Sequence, residues 1–232
     1  MVMDYDVTYR PPKQKRSKET VERILEAAEA CIRDGGFDAL RVADVAAESG
    51  AAVATVYSRF PDRMALLSAV QTRLHARIEP AFNAFLAQEK ERGGSLEEEA
   101  ERVFSHLSRH FLSERELFSA CMMQAVFDPS LKARGEEANR ARRDAVSSTL
   151  LVHRSQIVQR EPVRAVEFTY DTCVAVVKSR LIWPSVGGSL DEEVFIHDLT
   201  NMLTIYLAGR RKEEVKPIAA EAVLGDSLVP DS

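Results

Sequence analysis

The sequence is poor in the residues that cross-link or punctuate a chain. Its three cysteines, Cys31, Cys121 and Cys173, are too few and too scattered for a disulfide framework, and none forms a C-x-x-C pair. Zinc ribbons and thioredoxin-type sites are thereby excluded. Each cysteine falls among apolar neighbours at helical spacing, where a thiol serves as a small buried hydrophobe, and an odd number suits a reducing cytoplasm. Gly 10 and Pro 9 in 232 residues exclude collagen-like and low-complexity classes. Aromatics make up only 7%, while Ala, Leu, Glu and Arg are plentiful, which favours helix. No apolar run approaches the roughly 20 residues that span a bilayer. The opening MVMDYDVTYR has neither an apolar core nor a small-residue cleavage site, so no signal peptide, no membrane partner and a cytoplasmic location are expected. Also missing are a Gly-rich phosphate loop, a G-x-S-x-G elbow and a base for Cys121 or Cys173, so neither enzymatic activity nor a cofactor is expected.

The net charge is -5, which argues weakly against nucleic acid as partner, but a whole-chain sum hides local patches. Between Arg10 and Lys18 lie five basic residues and no acid: Arg10, Lys13, Lys15, Arg16 and Lys18. Pro11 and Pro12 keep the start of that stretch non-helical. Helical periodicity dominates from there. Val21, Ile24, Leu25, Ala28 and Ile32 form the stripe of an amphipathic helix, which Gly35 and Gly36 stop. Short helices are predicted over Val42 to Ser49 and Ala52 to Ser58, with Gly50 as the turn between them. Pro61 ends the second, and Asp62 can cap the long helix that follows, in which Pro80 predicts a kink or break. Further helices read as about 96–112, 114–127, 130–158, 161–183 and 191–211, the first capped by Ser95. With no convincing strand, the expected fold is all-α with about nine helices.

The segment VADVAAESGAAVATVYSRFP, from Val42 to Pro61, has what a helix-turn-helix needs. Ala46 is small where the helices cross, Gly50 makes the turn, and Val45, Val56 and Phe60 are the apolar anchors. The second helix can then lie in a major groove with its first residues facing base edges.

Over Thr20 to Val70 the sequence resembles the TetR family of bacterial transcriptional repressors. The resemblance rests on the Gly-aromatic-Asp-Ala joint at Gly36, Phe37, Asp38 and Ala39. It rests also on Thr55, Tyr57, Phe60 and Pro61 of the T-x-Y-x-x-F-P segment, and on Arg63 and Leu66 opening the next helix. It implies an N-terminal three-helix DNA-binding domain with a helix-turn-helix, and a C-terminal helical domain for ligand binding and dimerisation. The implied division is a basic arm at 1–18, a DNA-binding domain at 19–63, a ligand-binding and dimerisation domain at 64–212 and a disordered tail at 213–232. The implied partners are a palindromic double-stranded DNA operator, a small-molecule effector and a second copy of the chain, with half-sites about 34 Å apart. Tyr57 and Arg63 fall on the family's phosphate-contact positions, Thr55 faces the DNA, and Arg41 stands at the start of the second helix. Lys15, Arg16 and Lys18 of the arm join them.

The departures weaken this picture. Where the family has Ser or Thr and then a polar residue, this chain has Ala52, Val53 and Ala54. A missing cap costs a short helix about 1 kcal/mol, though Val53 and Ala54 can still pack on thymine methyls. Arg59 replaces an aromatic residue and offers a phosphate or guanine contact. Residues 1–63 hold ten basic and eleven acidic residues, so recognition rests on a few cations rather than on a broad basic surface. The rival reading is a ligand- or protein-binding member of the fold with weak DNA binding.

In the second half, Phe104, Phe111, Phe118, Met122, Met123, Phe127, Phe168 and Tyr170 are the candidate pocket residues, suited to an apolar or aromatic effector. His106 and His110, four apart, can share one helix face as zinc ligands do, but no acid or cysteine pattern completes a site, so no metal is expected. Two stripes suggest a four-helix, two-fold association face. One is Val166, Tyr170, Val174, Val177 and Leu181; the other is Phe195, Leu199, Met202 and Tyr206.

Overall fold

The computed structural model describes residues 15–183 and 191–209, which contain nine α-helices and no strand. The predicted tail at 213–232 and most of the basic arm lie outside the described residues. Helix α1 (Lys15–Ala39) runs straight to the two glycines, where Gly35 and Gly36 leave helical geometry and Gly36 takes φ +67°. The chain then turns into α2 (Val42–Ser49) and α3 (Val53–Arg59). Between them Gly50 adopts φ +65°, and its N–H donates to the carbonyls of Ala46 and Ala47. Val21, Ile24, Ala28, Val45, Ala46, Val56 and Phe60 bury together as the core of this head. Each fully buried Val, Ile or Phe contributes about 1.5–3 kcal/mol relative to exposure.

Asp62 caps α4 (Arg63–Arg92) by accepting from the Ala65 amide at 2.8 Å. This helix continues through Pro80, where a kink or break was expected. Ile78 and Phe82, on either side of the proline, are buried, and their packing compensates the lost backbone hydrogen bond. The body continues with α5 (Leu96–Ser113), α6 (Arg115–Gln124), α7 (Pro129–Leu150), a 3-10 turn (Leu151–Gln156), α8 (Pro162–Ile182) and α9 (Glu192–Ala208). Ser95 and Glu98 form a reciprocal capping box at the start of α5. The helix predicted over 130–158 ends eight residues early, at Leu150, and tightens into the 3-10 turn. Inside the body α5 packs along α9, while α8 is flanked by α5, α6, α7 and α9.

Head and body meet across an ion-pair cluster. Glu29 of α1 is buried, and it binds Arg77 of α4 at 3.1 Å, Arg73 of α4 at 3.1 Å and Arg33 at 3.1 Å. Glu114, between α5 and α6, binds Arg77 at 2.7 Å and Arg33 at 3.0 Å. Paired and hydrogen-bonded in this way, a buried carboxylate is tolerated.

Candidate functional site

The turn at Gly50 sets α3 on the outside of the head. Val53 is 45% exposed and Tyr57 52% exposed, and Ala52 and Ala54 are exposed with them. The first turn of α3 has no side-chain cap: Ala52 stands at the N-cap with extended backbone and offers only a methyl group. Thr55 is half-buried, Arg41 is exposed just ahead of α2, and Lys18 is exposed on the first turns of α1. Lys15 and Arg16 open α1, but their side chains lie outside the described residues.

Two of the arginines singled out from the sequence are held within the head. Arg59 donates through Nη2 to the Ser17 hydroxyl at 2.7 Å, tying α3 to the start of α1. The Arg63 guanidinium stands 4.3 Å from the Phe37 ring centroid, a cation–π contact. Arg59 thus ties α3 to α1, while Arg63 stays exposed at the start of α4.

A half-open cavity of about 520 Å³ lies between α4, α5, α6, α7 and α8, within the size range of small-molecule sites. Phe111, Phe118 and Met122, all picked from the sequence, line it together with Leu74 and Leu131. The other five candidates go elsewhere. Phe104 is fully buried in the core. Tyr170 sits behind the wall, its hydroxyl donating to the Asn139 carbonyl at 3.2 Å. Met123 faces outward near Arg115, Phe127 is 80% exposed, and Phe168 is on the outer face of α8 with its ring 5.6 Å from that of Tyr206.

The polar half of the cavity went unseen in the sequence. Gln71, His75, Asn139, Arg142, Arg143 and Lys178 contribute to its wall. Arg142 is buried, its Nε donating to Glu79 at 3.0 Å and its guanidinium 5.0 Å from the Phe111 ring centroid. Burial pushes the Lys178 ammonium below its ordinary range, and nearby Arg142 pushes the same way. No sequence signal distinguishes these cations from solvated ones, because α7 is rich in charge along most of its length.

His106 and His110 do share a helix face, but they belong to a stack of rings. His106 lies flat on Phe85 at 3.8 Å, and His110 is 5.9 Å from Phe82 and 6.3 Å from Phe118. Burial, with the Arg142 charge second, pulls His110 down to about 4, so it is neutral near pH 7. Burial raises Cys121 and Cys173 to about 12, which keeps both thiols protonated and poor nucleophiles. Among the described residues no group of three His, Cys, Asp or Glu side chains converges as metal ligands do.

For the association face, the structure corrects the register. Val166, Tyr170, Val174, Val177, Leu181, Phe195 and Leu199 are buried inside their own subunit. The reason is that α8 is surrounded by four helices and spends its most regular stripe on them. What α8 and α9 leave in solvent is Val163, Phe168, Val194, Met202, Ile205 and Tyr206. Met202 and Tyr206 are thus the two of the nine candidates that face outward. No helix among the described residues is long and apolar enough to cross a membrane.

Residues 24–70 match the model of the family described as bacterial regulatory proteins, tetR family. Over 54 residues, 23% of this chain, the sequence is 37% identical to an uncharacterized HTH-type transcriptional regulator of Mycobacterium tuberculosis. The match covers 29% of that relative's length, and a Mycobacterium bovis regulator matches to the same extent. Among solved structures, a TetR-family regulator from Mesorhizobium loti superposes with TM-score 0.68 at 17% identity, covering 82% of this chain and 96% of that one. The fatty acid degradation regulator FadR from Bacillus halodurans does so with TM-score 0.57 at 15% identity, covering 79% and 97%. Identities this low speak for the fold alone. The sequence match to the tetR family of bacterial regulatory proteins thus lies in residues 24–70, and the likeness of most of the chain to these solved structures is one of fold.

Proposed function

We propose that this protein is a cytoplasmic, homodimeric transcriptional repressor that binds a palindromic operator and leaves it when a small molecule enters the body cavity. The observation that carries the reading is the outer face of α3, where Val53, Ala54 and Tyr57 stand exposed on a helix tied to α1 through Arg59 and Ser17. In the proposed complex α3 enters the major groove, Val53 and Ala54 pack on thymine methyls, and Arg41, Lys18 and Tyr57 bind phosphates. Release is a coupling free energy: DNA and effector favour different dimer geometries, so each weakens the other's binding. The contacts suited to carry that coupling are those of Glu29 and Glu114 with Arg33 and Arg77, which join α1, α4 and the start of α6.

Binding of the purified protein to fragments of its own genome, with a salt titration on the tightest, tests this. Sequence-selective binding that weakens steeply with salt, and that Tyr57→Ala together with Arg41→Ala nearly abolishes, is the expected result. Weak binding equal on all fragments would instead support the second reading, a ligand- or protein-binding member of the fold. That reading is favoured by the uncapped, apolar first turn of α3.

A further inference from the structure

The cavity's charge is out of balance with its neighbours. Five of its lining residues are lysine or arginine and one, Glu136, is acidic. Glu136 lies 3.8 Å from Lys132, Glu79 takes Arg142, and Asp171 stands 3.5 Å from Arg143. An excess of two positive charges remains. Two donors at the wall are also unused. Arg142, with only 3% of its side chain exposed, has a buried Nη1 with no hydrogen-bond partner, and so does the Nε of Arg143. A buried guanidinium N–H left without an acceptor is costly, so such a pair is rarely kept without something to bind. The same cavity is lined by Phe111, Phe118 and Met122, which give an anion nothing but offer an apolar body a surface.

Building on the reading of the body as the ligand-responsive part, we propose that the cavity binds a monocarboxylate with an apolar body. Its two oxygens accept from Arg142 and Arg143 with Lys178 beside them, and its apolar portion lies on Phe111, Phe118 and Met122. A carboxylate supplies acceptors for both donors, and hydrogen bonds between ionised groups are the strong, charge-assisted kind. A purely apolar or aromatic guest, as expected from the Phe and Met residues alone, would leave both donors unmade.

The test is calorimetric titration of the full chain without DNA, using decanoate against decan-1-ol and 3-phenylpropionate against 3-phenylpropan-1-ol. At least one acid should bind about tenfold more tightly than its alcohol. In Arg143→Gln and Lys178→Met the acid should weaken about fivefold while the alcohol is unchanged. Arg142→Lys serves as the conservative variant, since it keeps a charge for Glu79, and should lose part of the preference. Equal binding of acid and alcohol, no binding of either acid, tighter binding of decyl phosphate than of decanoate, or an unchanged preference in both Arg143→Gln and Lys178→Met would each overturn the inference. Operator binding is measured separately on the same preparation. Loss of the carboxylate preference with operator binding intact defeats this inference alone, and the converse defeats the regulator reading alone.

Discussion

Ala52 begins α3 with extended backbone and a methyl group where a hydroxyl would accept from the helix's free amides. Ala52→Ser should therefore stabilise the head by about 1 kcal/mol, read as a higher midpoint in urea unfolding. An unchanged midpoint would mean that the first turn already finds other acceptors. His110 offers a residue-scale test of opposite character. Its folded value of about 4 lies below its ordinary 6.5 because it is buried among rings and faces Arg142, with Glu79 and Glu114 only partly offsetting. The unfolded chain therefore takes up the proton first as pH falls. Stability from this group is present above about pH 6.5 and is lost as pH drops towards 4. Melting temperatures of wild type and His110→Phe followed over that interval should diverge in slope, the variant being flatter; parallel curves would refute the burial argument.

Among the elements, the turn between α2 and α3 carries a backbone requirement. Gly50 sits at φ +65°, and a Cβ there would meet only Arg23 Nη1, at 4.0 Å, so Gly50→Ala creates no clash but forces an L side chain into a left-handed conformation. The expected cost is about 1–2 kcal/mol, with DNA affinity falling alongside because α3 is re-aimed. A second element-scale device is the joint made by Glu29. Its carboxylate is buried among Arg33, Arg73 and Arg77. Glu29→Leu leaves those guanidinium groups without it and should destabilise the chain by about 3 kcal/mol, measured by denaturant unfolding. Because the cluster joins α1 to α4, loss of the pair should also loosen head from body, which hydrogen exchange in α1 would register.

At the scale of the whole molecule, the outer face of α8 and α9 leaves Val163, Phe168, Val194, Met202, Ile205 and Tyr206 in solvent. Phe168 is 56% exposed and packs its ring against Tyr206, with Met202 and Ile205 nearby. If the chain pairs through this face, Phe168→Glu combined with Met202→Glu should halve the mass seen by light scattering at micromolar concentration without unfolding the subunit. Operator affinity should fall with it, since two half-sites are then read by separate molecules. A mass that stays dimeric would move the interface elsewhere.

The head was legible because its signals are local. Val42 to Ser49, the Gly50 turn and the Asp62 cap depend on neighbours in sequence, and backbone conformation at a glycine or a cap is decided within a few residues. Helix number followed from the same periodicity. At Pro80 the helix is not broken, because packing on either side outweighs the local sterics, and the 3-10 ending of α7 had no local marker. The cavity and the outer face were decided only in three dimensions. A stripe such as Val166, Tyr170, Val174 and Val177 says that a face of α8 will be buried, but not whether its own subunit or a second copy will bury it. Likewise Arg142 and Lys178 read as solvated cations until neighbouring helices close over them. Sequence alone determined which elements form and where α3 lies. Tertiary structure decided which faces they present, because that depends on contacts between residues far apart in the chain.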